Sequence, residues 1–354
     1  MHSLIITRIV LHKMQRITIM LLFGGESSEH SVSISSARNV YAALDDTKYD
    51  IILCYIDEGG KWYLLDDLAA QIDTAEVPQI VPLMGSGNFM TIPGNDLFAP
   101  DVMLPILHGA NGEDGTVQGL ARLLHIPIVG CDLEASAICM DKVVTKQLLD
   151  HANIRTVPYE VHVTGDPLPS FGQLSASLGD TLFVKPARSG SSVGVSKVRN
   201  DSELSAALAD AHQHDAKVLI EKAIVARELE IGVLGNGHDA RISGVGEIMP
   251  DREFYDFDSK YDSASQTKVA IPADLPDAIS DEIIATAGHV YDVLGCSGLS
   301  RIDFFLSDDS QVYVNEVNTL PGFTNISMYP KLWRAKGLDY GSLVEALIKT
   351  ALNQ

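Results

Sequence analysis

Three short apolar runs, residues 17–23 (ITIMLLF), 51–56 (IILCYI) and 102–107 (VMLPIL), most tightly constrain what this chain can fold into. Each has the length and composition of a buried strand. Gly24 and Gly25 close the first run, and a serine-rich stretch then leads into a helix-like segment over residues 32–44. Strand, glycine turn, helix and strand in that order are the opening of a doubly wound α/β domain with a parallel sheet. The third run ends at His108 and a glycine-rich loop, HGANGEDG.

After residues 126–129 the character changes. Helices are expected over 142–151 and 202–212, with strands over 182–185 and 217–221 and a glycine-serine loop between them. The last third holds a loop of polar and aromatic residues, 247–267, and a helix over 276–294. Strands over 299–306 and 311–317 and a helix over 342–352 complete it. The division expected is an extension over residues 1–15, with Met14 as a second possible start, and three mixed α/β lobes over 16–129, 130–224 and 225–354.

The formal charge of -21 argues against a nucleic-acid or anionic-membrane surface, which needs clustered lysine and arginine. No apolar run reaches the roughly 18 to 20 residues of a membrane-spanning helix. Cys54, Cys131, Cys139 and Cys296 are scattered without a Cys-x-x-Cys pair and read as reduced core residues of a cytoplasmic protein.

The two late strands are the most informative for chemistry. SDDS, residues 307–310, reads as a hairpin turn. If Leu306 opposes Gln311, Arg301 faces Glu316 and Asp303 faces Val314, and Arg301, Asp303, Glu316 and Asn318 share one face. Ile302, Phe304, Leu306, Tyr313 and Val317 fall on the other, apolar face. Two carboxylates and a carboxamide suit Mg²⁺, although the same pattern fits a salt-bridged, solvated strand. Directly after them NEVNTLPGFTNIS brings Gly322, whose backbone N–H can approach a ligand closely, as an oxyanion site requires.

Three further stretches are candidates. FVKPARSGSSVGVSKV delivers Lys185 from a strand into a loop of serines and glycines that can fold over a phosphate chain, though it is not the P-loop pattern. Lys142, in CMDKVVTK, is a possible phosphate partner or only a solvated helix charge. LIEKAIVARELE places Glu221 at a strand end and Glu228 beyond it, where carboxylates can accept from adenine and ribose donors. FGGESSEHSVSISS puts Glu29 at the carboxyl end of the first strand, where open α/β sheets bind small ligands, or simply caps a helix.

Taken in order, GGESSEHSVSISS, LHGANGEDGTVQG, VGCDLEASAICMDK, FVKPARSGSSVGVSKV, FYDFDSKY, GLSRIDFF and NEVNTLPGFTNISMYP resemble the D-alanine–D-alanine ligases of the ATP-grasp superfamily from about Arg16 onward. The resemblance implies a three-lobed ATP-grasp fold. It also implies ligation of two D-alanine molecules through an acyl phosphate, with release of ADP and phosphate, for peptidoglycan precursor synthesis. On the same ground Asp303, Glu316 and Asn318 bind two Mg²⁺ ions, with Mn²⁺ as a possible substitute. Lys142, Lys185 and Ser192 take the α- and β-phosphates and Lys260 the γ-phosphate. Glu221, Lys222 and Ile224 meet adenine, and Glu228 meets ribose.

The resemblance further implies that Arg301 and the Gly322 N–H stabilise the oxyanion, with Glu29 pairing with the first D-alanine and His108 close by. Ser191, Tyr261 and Glu29 then form a hydrogen-bonded group supported by Glu113, Ser327 takes the second substrate's carboxylate beside Met328, and residues 247–267 correspond to a mobile loop. The Lys260-Tyr261 pair and Met328 favour a dipeptide ligase over a D-lactate ligase. D-serine as second substrate stays open. A homodimer is expected from the family alone. A regulator without turnover should have lost a metal ligand or Arg301, and a nicotinamide enzyme should carry the GxGxxG fingerprint that is absent here.

Overall fold

The computed structural model describes residues 16–68, 71–249 and 267–353. Among them lie a seven-stranded, a four-stranded and a five-stranded sheet. The helices are α1 (His30–Ala43), α2 (Thr116–Leu124), α3 (Leu133–Met140), α4 (Lys142–His151), α5 (Phe171–Leu178), α6 (Asp201–His214), α7 (Asp277–Val293), α8 (Met328–Ala335) and α9 (Tyr340–Leu352).

The first sheet has strands β1 (Ile17–Gly24), β2 (Tyr49–Ile56), β3 (Trp62–Leu65), β4 (Gln79–Leu83), β5 (Asn88–Ile92), β6 (Leu97–Phe98) and β7 (Val102–Ile106), in the order β6-β5-β4-β3-β2-β1-β7. β1 runs parallel to β2 and β7, the three expected strands, and β3 to β6 extend the sheet as an antiparallel meander. Side chains alternate along β1. Ile19, Leu21 and Phe23 join the core shared with α1 and α9, while Met20 and Leu22 pack toward α2. At Gly24, φ is 92° and a Cβ would stand 2.1 Å from the Ile56 carbonyl oxygen, so only glycine turns the chain off the strand here.

The second sheet is antiparallel, with β8 (Tyr159–Val163), β9 (Leu182–Pro186), β10 (Ser196–Val198) and β11 (Lys217–Lys222) in the order β10-β9-β11-β8. Val184, Val218 and Ile220 pack on α5 and α6 through Leu174, Leu204 and Leu208. That alternation leaves Phe183, Lys185 and Glu221 on the opposite face.

The third sheet, also antiparallel, has β12 (Ala226–Leu234), β13 (Arg241–Met249), β14 (Lys268–Ala270), β15 (Leu299–Ser307) and β16 (Val312–Asn318) in the order β14-β13-β12-β15-β16. Its core, with Leu229, Ile231, Ile302, Phe304 and Val314, takes in Ile283 and Val290 of α7, Ala135 of α3 and Leu149 of α4. Thus α3 and α4 pack on the five-stranded sheet, although they precede the strands of the four-stranded one. All four cysteines are buried and free.

The hairpin register differs from expectation. Leu306 pairs with Val312, and an irregularity between Asp303 and Phe304 then slips the pairing once more, so Asp303 faces Glu316 and Arg301 faces Asn318. The extra residue is Asn315, a bulge in β16. The total shift of two residues preserves parity at the open end, and the four polar residues keep their common face. Tyr313 is the exception: it pairs with Phe305, not on the core face, and Val312 and Val314 fill the core positions instead. Residues 247–249 of the expected loop continue β13.

Candidate active site

A cleft of about 910 Å³ opens between the four- and five-stranded sheets and reaches the carboxyl end of β1. It is lined by Glu29, His108, Glu113, Lys142, Lys185, Ser191, Ser192, Glu221, Lys222, Ile224, Glu228, Arg301, Asp303, Glu316, Asn318, Gly322, Ser327 and Met328. Every described site residue expected from the sequence therefore meets there. Lys260 and Tyr261 lie outside the described residues, as does most of 247–267.

One wall is cationic. Asp141 caps α4 by accepting from the Val143 and Val144 N–H groups, which sets Lys142 at the first helical position. The Lys142 ammonium donates to the Ser189 carbonyl oxygen at 2.7 Å and lies 3.9 Å from Glu316 Oε2. Lys185 on β9 ion-pairs with Glu221 on β11. The second Glu221 oxygen lies 2.6 Å from Nζ of Lys146, one helical turn after Lys142. Burial would raise the Glu221 carboxyl, but the two lysines outweigh it and hold it below the ordinary carboxylate value. Ser191 and Ser192 are both left-handed, at φ 50° and 61°, in a turn closed by Val193 N–H to Gly190 O. Such strain is retained where surroundings fix the loop. Here Arg188 fixes its base through three hydrogen bonds to the Asp215 carboxylate.

The other wall is rich in carboxylates. Arg301 donates to both Asp303 oxygens at 2.7 Å and its Nε lies 2.9 Å from Glu230 Oε2, while Asn318 Nδ2 donates to Asp303 at 3.0 Å. Burial works against the guanidinium charge, and Asp303, Glu230 and Glu316 together more than restore it. Among the described residues no three histidine, cysteine or acidic side chains converge to hold a metal unaided. Asp303, Glu316 and the Asn318 carboxamide nevertheless fit Mg²⁺, which takes one or two carboxylates and completes its shell with phosphate oxygens and water.

At the third side, Glu29 is buried at the start of α1, and a Cβ on Gly190 would lie 3.8 Å from its Oε2. The serine loop therefore passes directly over Glu29. His108 Nδ1 contacts the Leu320 carbonyl oxygen at 3.2 Å and lies 3.9 Å from Glu113 Oε1. Burial opposes charging of His108, yet Glu113, Glu29 and the carbonyl raise its pKa above the ordinary value. Ser327 Oγ accepts from the Thr324 N–H at 3.0 Å, and a Cβ on Gly322 would stand 2.8 Å from it. Met328 is buried with Ile248 and Leu332.

Sequence reasoning missed Lys146 and Glu230. Glu230 was within reach, because β12 alternation puts it on the face of Glu228. Lys146 had the helical spacing from Lys142 as its only signal.

Two family models match the chain, one described as D-ala D-ala ligase N-terminus over residues 18–131 and one as D-ala D-ala ligase C-terminus over residues 148–349. A D-alanine–D-alanine ligase of Proteus mirabilis is 46% identical, with 96% of each chain covered. Among solved structures, the D-alanine–D-alanine ligase of Coxiella burnetii superposes with a TM-score of 0.86 at 34% identity, over 96% of this chain and 94% of that one. The VanG D-Ala:D-Ser ligase of Enterococcus faecalis gives 0.87 at 34% identity, over 95% and 100%.

Proposed function

The chain belongs to the D-alanine–D-alanine ligase family, and from that membership we infer that it joins two D-alanine molecules to D-alanyl-D-alanine for peptidoglycan precursor synthesis, using ATP. It is a carboxylate–amine ligase that forms a C–N bond. A carboxylate is a poor electrophile, so the first D-alanine is phosphorylated, and the amine of the second then displaces phosphate from the acyl phosphate.

The observation that carries the assignment of roles is the pairing of Asp303 with Glu316, beside Asn318, with Glu316 Oε2 3.9 Å from the Lys142 ammonium. Metal-type oxygens and a phosphate-type cation thus share one point of the cleft. In this reading Asp303, Glu316 and Asn318 hold two Mg²⁺ ions, or Mn²⁺ in their place. Bound there, the metal spreads the negative charge of the transferring phosphoryl group.

Lys142, Lys185 and Ser192 bind and align the phosphate chain, and Glu221, Lys222, Ile224 and Glu228 orient the nucleoside. Glu29 binds the ammonium of the first substrate, with His108 and Glu113 behind it. The Gly322 N–H and Arg301 donate to the oxygen on which charge builds during amine attack, stabilising it more than the planar acyl phosphate carbonyl. Ser327 binds the second carboxylate beside the uncharged Met328. Lys260 on the γ-phosphate, and Tyr261 with Ser191 orienting the second substrate, follow from the family resemblance. The enzyme works as a cytoplasmic homodimer in this reading.

The test is phosphate release with ATP, Mg²⁺ and D-alanine alone, then with excess D-serine or D-lactate, with products identified by mass. D-alanyl-D-alanine from D-alanine alone is expected. A mixed product dominating overturns the second-substrate assignment, and no turnover overturns the reading as a whole.

A further inference from the structure

Helix α4 carries two lysines one turn apart, and they do different things. Lys142 lines the cleft, while Lys146 is 2% exposed and stands behind it. The Lys146 ammonium lies 2.6 Å from Glu221 Oε1, donates to the Val157 carbonyl oxygen at 3.2 Å and stands 5.3 Å from the ring centroid of Tyr159. Tyr159 is the cross-strand partner of Glu221, and its hydroxyl donates to Asp150 at 3.2 Å. Glu221 therefore sits between a lysine that faces the cleft, Lys185, and one that does not.

We propose that Lys146 is a positioning residue that keeps Glu221 ionised and aimed into the cleft when nucleotide phosphate draws Lys185 away, and thereby sets recognition of the adenine amino group. The inference rests on the nucleotide reading given above. Lys185 cannot fully neutralise Glu221 and a polyphosphate at once, and the polyphosphate carries more charge. Glu221 is 4% exposed, and a buried carboxylate without a counter-charge takes up a proton instead. One of its oxygens would then be a donor facing an N–H donor of adenine. Lys146, held on three sides and away from the ligand, is the counter-charge that stays.

The test compares wild type, Lys146→Met and Lys146→Met/Glu221→Gln in phosphate release at varied ATP and ITP, from about pH 6 to about pH 9. In Lys146→Met, ATP binding must carry a proton to Glu221. KM for ATP should then climb with pH by up to about tenfold per unit, with no such slope from this group in wild type. The effect should fall on KM rather than kcat, and the kcat/KM preference should move toward ITP, whose ring carbonyl accepts from a protonated Glu221. The double variant should bind ATP more weakly than wild type but without the slope.

Wild-type KM, slope and base preference in Lys146→Met would overturn the proposal. Should Lys146→Met fail to fold while the double variant folds, Lys185 alone does not sustain the Glu221 charge, and Lys146 is its required counter-charge as proposed. If both fail to fold, Lys146 acts on structure rather than through Glu221, and the proposal falls. Loss of ATP saturation in the wild type itself would instead remove the nucleotide reading.

Discussion

The wall built by α4, β9 and β11 carries three lysines and one buried glutamate, Glu221, which pairs with Lys146 and Lys185, whereas on the wall built by β12, β15 and β16 one arginine, Arg301, is held among Glu230, Asp303 and Glu316. Both walls bury ion pairs, and such pairs hold together only while each charge keeps its partner. The stoichiometry is reversed, however. What remains after internal pairing is positive on one side and negative on the other, so the first wall suits phosphate and the second suits a cation. The same bonding produces two opposite specificities.

Removing one negative charge from the second wall tests the division most severely. On the proposed assignment Glu316→Gln removes a metal charge rather than packing, and it is expected to lower kcat by about a thousandfold while leaving the melting temperature nearly unchanged. Phosphate release alongside thermal melting checks this, and an unchanged rate breaks the assignment. Next comes Arg301→Lys. A point charge cannot reproduce the forked contact with Asp303, and about a hundredfold loss in kcat is expected with KM for ATP little altered.

Lys142→Met on the first wall should raise KM for ATP by about tenfold, with the smaller part of the effect on kcat. A kcat loss matching that of Glu316→Gln would mean that the two walls do not divide the work. The smallest effect concerns His108 and Glu113 between the walls, both raised from their ordinary values of 6.5 and 4.5. A raised imidazole contributes stability that is complete below about its unfolded value and disappears as pH climbs through the folded value. The stability gap between wild type and His108→Asn should therefore narrow from about pH 6 to about pH 8.5 in urea unfolding. A widening gap would show that the charge of His108 is not what the surroundings favour.

The parallel core of the first sheet was legible because both faces of its strands are buried, which leaves uninterrupted apolar runs in the sequence. The meander from β3 to β6 was not, since its strands are short and mostly half-buried. Around the site, parity survived where register did not. A turn starting one residue later, with Ser307 bonded to Gln311, and the Asn315 bulge together moved the pairing by two, returning Asp303 and Glu316 to one face as direct neighbours. Tyr313 lies on the turn side of that bulge, where only one of the two shifts applies, and there the expected face was wrong. Lys146 was invisible for another reason. A lysine on an exposed helix face and one buried against a glutamate more than seventy residues away are the same letter at the same spacing, and only tertiary packing separates them.

Helix α9 has a consequence for how the molecule is made. Leu343, Val344, Leu347 and Ile348 share a core with Ile19, Leu21, Phe23 and Leu104 of the first sheet. A chain emerging from the ribosome at roughly 5 to 20 residues per second would display the part of that face not covered by α1 for roughly ten to forty-five seconds before α9 arrives. The first lobe therefore cannot complete its core until α9 has been made.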